Sequence, residues 1–115
     1  MREAARDNGR LQDILTAAAN IAKFVDGRCC DDFLDDKLLY YAVLKNVEII
    51  GEAAYMLTLE FKELHPGIPW SQIIRMRHIL VHNYSSVLPE ILWETATKDI
   101  SELKSKIEAL LKDQN

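Results

Sequence analysis

The sequence predicts an all-α protein, an up-and-down four-helix bundle with room for short extra helices. Three observations lead there. Apolar residues recur at three- and four-residue spacing along most of the 115-residue chain. The run His65-Pro66-Gly67-Ile68-Pro69 is the clearest break, Gly27 is a plausible helix stop, and Pro89 suits a helix start. No segment shows the strict alternation of a half-buried strand. The length suits one core, so residues 1–115 are read as a single domain.

The first helix is expected from about residue 7 to 25, with Leu11, Ile14, Leu15, Ala18, Ile21, Ala22 and Val25 on its inner face and Gly27 as its stop. A short acidic break follows. The second helical region begins near Asp32 or Asp36, either of which can cap free amides, and runs to about Leu64. Its apolar series is Leu39, Ala42, Val43, Val47, Ile50, Ala54, Leu57 and Phe61. Gly51 interrupts that series without ending it, and lets a neighbouring backbone or bulky side chain come close. The third helix spans Trp70 to about Val81, after which the chain loosens around Asn83-Tyr84-Ser85-Ser86. The last runs from Pro89, suited to a first helical turn, to Leu111 through Ile91, Leu92, Ala96, Ile100, Leu103, Ile107 and Leu110.

Fourteen basic and eighteen acidic residues give a formal charge of -4, which argues against a broad surface for coating nucleic acid. The charge is uneven, however. Asp26, Asp31, Asp32, Asp35 and Asp36 crowd one connection, whereas no Asp or Glu occurs between Glu63 and Glu90. A local phosphate site therefore remains open. The adjacent Cys29 and Cys30 form neither a disulfide framework nor half of a metal site with a second pair. No apolar run is long enough to span a bilayer and the N-terminus is polar, so the cytoplasm is the expected compartment and no membrane partner is expected.

The acid-free stretch holds Arg77-His78-Ile79-Leu80-Val81-His82-Asn83-Tyr84. A guanidinium can hold a phosphate through paired charge-assisted hydrogen bonds and stabilise the charge gained in a transition state. An imidazole can exchange a proton near neutral pH, which gives His82 the chemistry of a general base or acid. Asn83 can orient phosphate or sugar, and Tyr84 can stack on a base or hydrogen-bond to phosphate. Arg77 and His82 are five residues apart, so on a regular helix they diverge by roughly 140°. Distortion at the helix end, long side chains or a second copy of the chain would bring them around one substrate. Residue chemistry alone leaves surface, catalytic and phosphate-binding roles open for this pair. His78 is open to a structural or a substrate-contacting role, Asn83 to a turn, and Tyr84 to packing. His78 and His82 have the spacing of metal ligands on a helix, but no acid or cysteine nearby in sequence completes a site, so no metal and no cofactor is expected. Glu52, beside Gly51, is either an exposed carboxylate or a partner for Arg77 or Arg75. Trp70 and Trp93 read as core or interface anchors.

Taken together these segments resemble the HEPN superfamily, specifically its HepT-like branch, also described as DUF86. Ile49-Ile50-Gly51-Glu52-Ala53-Ala54 is similar to the family's isoleucine-glycine-glutamate-alanine segment, and Ile68-Pro69-Trp70 to the start of its motif helix. Arg77 to Tyr84 matches its Arg-x4-His-x-Tyr signature, and Trp93 falls where the branch commonly has a tryptophan. Members often carry Asn directly after the arginine, where this chain has His78. The resemblance covers approximately residues 8–112. It implies a helical homodimer whose motif helices meet in a cleft. It further implies a metal-independent endoribonuclease toxin of a type VII toxin–antitoxin system, with Arg77 and His82 catalytic and a 2′,3′-cyclic phosphate as product. The implied partner is an MNT-type nucleotidyltransferase antitoxin that transfers AMP to Tyr84, where bulk and negative charge would repel RNA. The other reading is a noncatalytic helical binding or regulatory partner of a nucleotidyltransferase.

Overall fold

A computed structural model describes residues 2–113, with side chains from residue 6 onward, and among these residues the structure is helical with no strand. The first helix, α1 (Arg2–Val25), buries Leu11, Ile14, Ala17, Ala18 and Ile21. Ala22, expected on the inner face, is exposed, because the small residues Ala17 and Ala18 occupy the contact instead. Gly27 adopts φ 72°, the left-handed conformation in which glycine ends helices, and the Arg28 amide closes the turn on the Val25 carbonyl at 2.9 Å.

The acidic break conceals a helix. In α2 (Cys30–Asp35), Phe33 is fully buried and stacks obliquely on Trp93, with ring centroids 5.3 Å apart. The acids around it have local duties. The Asp32 carboxylate accepts from the Cys29 amide at 3.0 Å, a bond that holds its pKa below the usual carboxylate range. Asp36 accepts from the Leu39 amide at 3.2 Å and so caps the next helix, as one of the two alternatives anticipated.

The expected second helix is divided. It runs as α3 (Lys37–Met56), then resumes as α4 (Leu59–Leu64) after two extended residues, Leu57 and Thr58. The break originates in α1. Buried Asp7 accepts from the Thr58 amide at 2.9 Å and from its hydroxyl at 2.7 Å, while the same hydroxyl oxygen accepts from the Phe61 amide at 3.1 Å. Those bonds supply partners that a continuous helix would have provided along its own axis. Helices α2 and α4 are thus the short extras of the bundle.

Helix α5 (Trp70–Asn83) starts with a buried Trp70 whose indole N–H donates to the His65 carbonyl at 3.1 Å. It stays α-helical through Asn83, two residues beyond the expected end, and only then tightens into a 3₁₀ turn, Tyr84–Ser86. Pro89 opens α6 (Pro89–Glu94), which passes through a π turn, Thr95–Asp99, into α7 (Ile100–Asp113). Leu92, Ala96, Ile100, Leu103 and Ile107 are buried along this last rod. Ile91, expected inside, is exposed because Leu92 takes the inward position.

Helix α3 packs on both α1 and α5, and α7 closes on α1. Asp7 meets Thr58 and Asn20 meets Asn46, so α1 and α3 run antiparallel. Rising numbers on α3 likewise meet falling numbers on α5, from Tyr41 beside Tyr84 to Gly51 against Arg77. The four long rods form the bundle that the sequence predicts.

Candidate active site

Gly51 sets the distance between α3 and α5. A methyl group at this position would overlap the Arg77 Cβ, with Arg77 Cγ at 2.8 Å and Cα at 3.2 Å. The two backbones approach as closely as they do only because Gly51 has no side chain. One residue later on α3, the Glu52 carboxylate pairs with the Arg77 guanidinium at 2.6 Å. The pair is half-exposed, with 27% of the Arg77 side chain and 49% of the Glu52 side chain open to solvent. Arg75, the alternative partner, is not the one engaged. Helix packing fixes the root of Arg77 and the carboxylate fixes its tip.

The pair borders an open groove of about 340 Å³ between α1, α3 and α5. Its walls carry Arg10 and Asp13 from α1, Lys45 and Glu48 from α3, and the apolar Ile49 and Val81 from α3 and α5. Among the described residues, Arg10 and Lys45 are in no ion pair, so their cationic ends can turn toward an incoming anion.

His78 and His82 lie one turn apart on α5 and their rings stack obliquely, with centroids 4.5 Å apart. Both are exposed. Among the described residues, no group of three or more metal-donor side chains surrounds them. Because α5 is regular from Arg77 through His82, no helix-end distortion swings the two toward each other. One chain alone therefore presents Arg77 toward Glu52 and His82 toward His78.

Asn83 and Tyr84 mark the change from α to 3₁₀ geometry. The Asn83 side-chain oxygen accepts from the Ser85 hydroxyl at 3.1 Å, and its main-chain carbonyl accepts from the Ser86 hydroxyl at 2.8 Å. Tyr84 is 43% exposed and meets Tyr41 of α3 edge-on, with centroids 6.4 Å apart. The neighbouring Tyr41 hydroxyl, the charge it would carry, and some desolvation hold the Tyr84 phenol above its ordinary pKa. It stays neutral across physiological pH.

Sequence reasoning missed Tyr41, Arg10 and Lys45. The signal for Tyr41 was present in the stripe Leu38, Tyr41, Lys45, Ile49 and Glu52, which recurs at helical spacing on the face of α3 away from the core. Leu38, Tyr41 and Ile49 are exposed, so the apolar members of this stripe belong to a surface.

A family model described as ribonuclease HepT-like matches residues 14–110. The chain is 45% identical over 102 residues to "Probable ribonuclease HepT" of Thermococcus cleftensis, covering 89% of this chain and 93% of that protein. It is 38% identical over 104 residues to "Putative RNase TTE0752" of Caldanaerobacter subterraneus, covering 90% and 93% of the two. It is 33% identical over 98 residues to "Putative RNase MJ1380" of Methanocaldococcus jannaschii, covering 85% and 90%. No solved structure gives a significant match. The chain belongs to the HepT-like ribonuclease family. Among the described residues, no helix is long and apolar enough to cross a membrane.

Proposed function

We propose that this chain is a metal-independent endoribonuclease acting as a homodimer, with Arg77 and His82 as its catalytic pair. The observation that carries the reading is the fixed guanidinium of Arg77, pinned by Gly51 and Glu52 at an open groove and followed on the same helix by two exposed imidazoles.

Cleavage of RNA needs little else. His82 takes the proton of a ribose 2′-hydroxyl, and that oxygen attacks the adjacent phosphorus while Arg77 stabilises the added charge. The bond to the 5′-oxygen breaks, that oxygen takes up a proton, and the products carry a 2′,3′-cyclic phosphate and a 5′-hydroxyl. The nucleophile belongs to the substrate, so a base and a cation suffice. His78 beside His82 contributes to holding the ring or to proton return, and Asn83 and Tyr84 contact phosphate, sugar or base.

The divergence of Arg77 from His82 on a regular helix favours a twofold assembly, in which one copy's arginine and the partner's His82 face one phosphate. The exposed Ile49, Val81 and Tyr84 give this flank apolar surface for such a contact. In this reading the protein is the toxin of a toxin–antitoxin pair, restrained by an MNT-type nucleotidyltransferase that transfers AMP to Tyr84. The adduct would place a phosphodiester anion and a purine at the approach to the histidines, competing with RNA for the same cations.

The test is cleavage of a cellular RNA pool by unmodified protein in EDTA, with folded His82→Ala as control and analysis of product ends. Cyclic phosphate ends from the parent, and a rate at least about 100-fold lower in the variant, are expected. Equal cleavage by both would remove His82 from the mechanism. No cleavage by either would leave a noncatalytic partner of a nucleotidyltransferase as the better reading.

A further inference from the structure

Five aromatic rings form a continuous path through the buried Phe33 to the motif tyrosine. Trp93 meets Phe33 at 5.3 Å, Phe33 meets Tyr40 at 5.3 Å, Tyr40 meets Tyr41 at 5.1 Å, and Tyr41 meets Tyr84 at 6.4 Å. Exposure rises along it, from the fully buried Phe33 to Tyr41, which is 48% open to solvent. Tyr41 contacts both Tyr40 and Tyr84 near the perpendicular, at 85° and 73°, so its neighbours brace the ring without stacking over it. Contacts on two sides restrict the ring, which lowers the entropic cost of stacking a planar ligand on its open face.

Its position decides the ligand. Because α3 and α5 are antiparallel, Tyr41 stands at the same end of their shared surface as Tyr84. That end lies roughly 10 Å along α5 from Arg77, given a rise of about 1.5 Å per residue. Lys45, one turn after Tyr41 on α3, lines the groove that holds Arg77. An aromatic, a lysine and an arginine thus follow one another along a single surface, with Asp13, Glu48 and the Arg77-paired Glu52 beside them in the groove. This is the arrangement that reads single-stranded nucleic acid, with bases on rings and phosphates on cations.

We propose that Tyr41 is the platform for a nucleobase of the single-stranded RNA substrate, adjacent to the phosphate held by Arg77. The assignment rests on the ribonuclease reading above and adds a specificity-determining residue on α3, outside the Arg77–Tyr84 segment. Stacking needs the ring and not the hydroxyl, which separates this role from a hydrogen-bonding one.

The experiment measures binding of a single-stranded RNA oligonucleotide made uncleavable by 2′-O-methylation, alongside steady-state cleavage of its unmodified form. Parent, Tyr41→Phe and Tyr41→Leu are compared, with the oligomeric state of each determined. Tyr41→Leu should weaken binding about 10-fold and raise KM in parallel, with kcat nearly unchanged, in keeping with the stacking contribution of one base. Tyr41→Phe should bind within about twofold of the parent. Replacing one base by an abasic site should weaken the parent by a similar factor and leave Tyr41→Leu unaffected. If the parent cleaves RNA and Tyr41→Leu binds equally well, the platform is wrong while the ribonuclease reading stands. If the loss follows a change of oligomeric state, Tyr41 is an interface residue and the proposal fails. A parent that neither binds nor cleaves overturns both.

Discussion

The two flanks of α5 are built in opposite ways. Toward α3 the helices touch backbone to side-chain root at Gly51 and Arg77, and the surface they share carries a charged pair. Toward the last rod, Ile73 and Met76 face Ile91, Ile100 and Leu103 across a cavity of about 390 Å³ lined mainly by apolar groups. The close contact is on the charged side and the loose contact on the apolar side. A core assembled for stability alone would reverse this, because apolar packing gains from density and charge gains from water. The tight contact falls at the root of Arg77, whose guanidinium is in turn paired with Glu52.

The contrast breaks most directly at Gly51. Gly51→Ala should destabilise the protein by about 1–3 kcal/mol in urea unfolding, because the new methyl forces α3 and α5 apart. In an Arg77→Gly background the same change should cost much less, since the atom it strikes is gone. A full cost in both backgrounds would show that the clash lies elsewhere.

Glu52→Gln is the next test. The ion pair is half-exposed, so its loss should lower stability by less than about 1 kcal/mol. Its effect should appear in binding. With a carboxylate removed from the groove, affinity for an uncleavable RNA should rise about two- to fivefold at low salt, and the gain should fade as salt screens it. An affinity that falls would make Glu52 an orienting group for Arg77 more than a counter-charge.

The apolar flank offers the smallest effect. Asp99 borders the cavity, and desolvation, reinforced by Glu102 and Glu94, raises its carboxyl above the ordinary value against the opposing influence of Lys98. A carboxyl whose pKa is raised on folding favours the folded state while protonated and loses that contribution as pH rises through the folded pKa. Asp99→Asn should therefore raise Tm by about 1–2 °C at pH 7. The gain should shrink as pH falls, and vanish below the ordinary carboxylate range, where the group is protonated in the folded and unfolded chains alike.

The parts of this architecture that depend on neighbours in sequence are legible in the sequence. Apolar spacing placed the four rods, Asp36 was a candidate cap, and the lack of a side chain at Gly51 implied a close approach. The parts that depend on distant partners are not. The interruption at Leu57 and Thr58 follows from Asp7, which stands 51 residues away and has no signature near the break. Phe33 sits among five aspartates in a segment that reads as solvated, and its burial depends on Trp93 arriving from the last helix. At the candidate site the residue types in the motif were visible, whereas Tyr41, Arg10 and Lys45 acquire meaning only once α1, α3 and α5 are side by side.

The π turn at Thr95–Asp99 carries a consequence for how the chain tolerates change. Leu92, Ala96 and Ile100 are buried at successive intervals of four, a pattern that in a regular α-helix would drift about 40° around the axis at each step. A wider turn absorbs that drift, so α6 meets α2 and α7 meets α1 without either losing its inward residues. The rod therefore behaves as two registers joined by a splice. Removal of one residue within the splice would restore ordinary helical winding there, whereas the same deletion within α7 would rotate Leu103 and Ile107 out of the core.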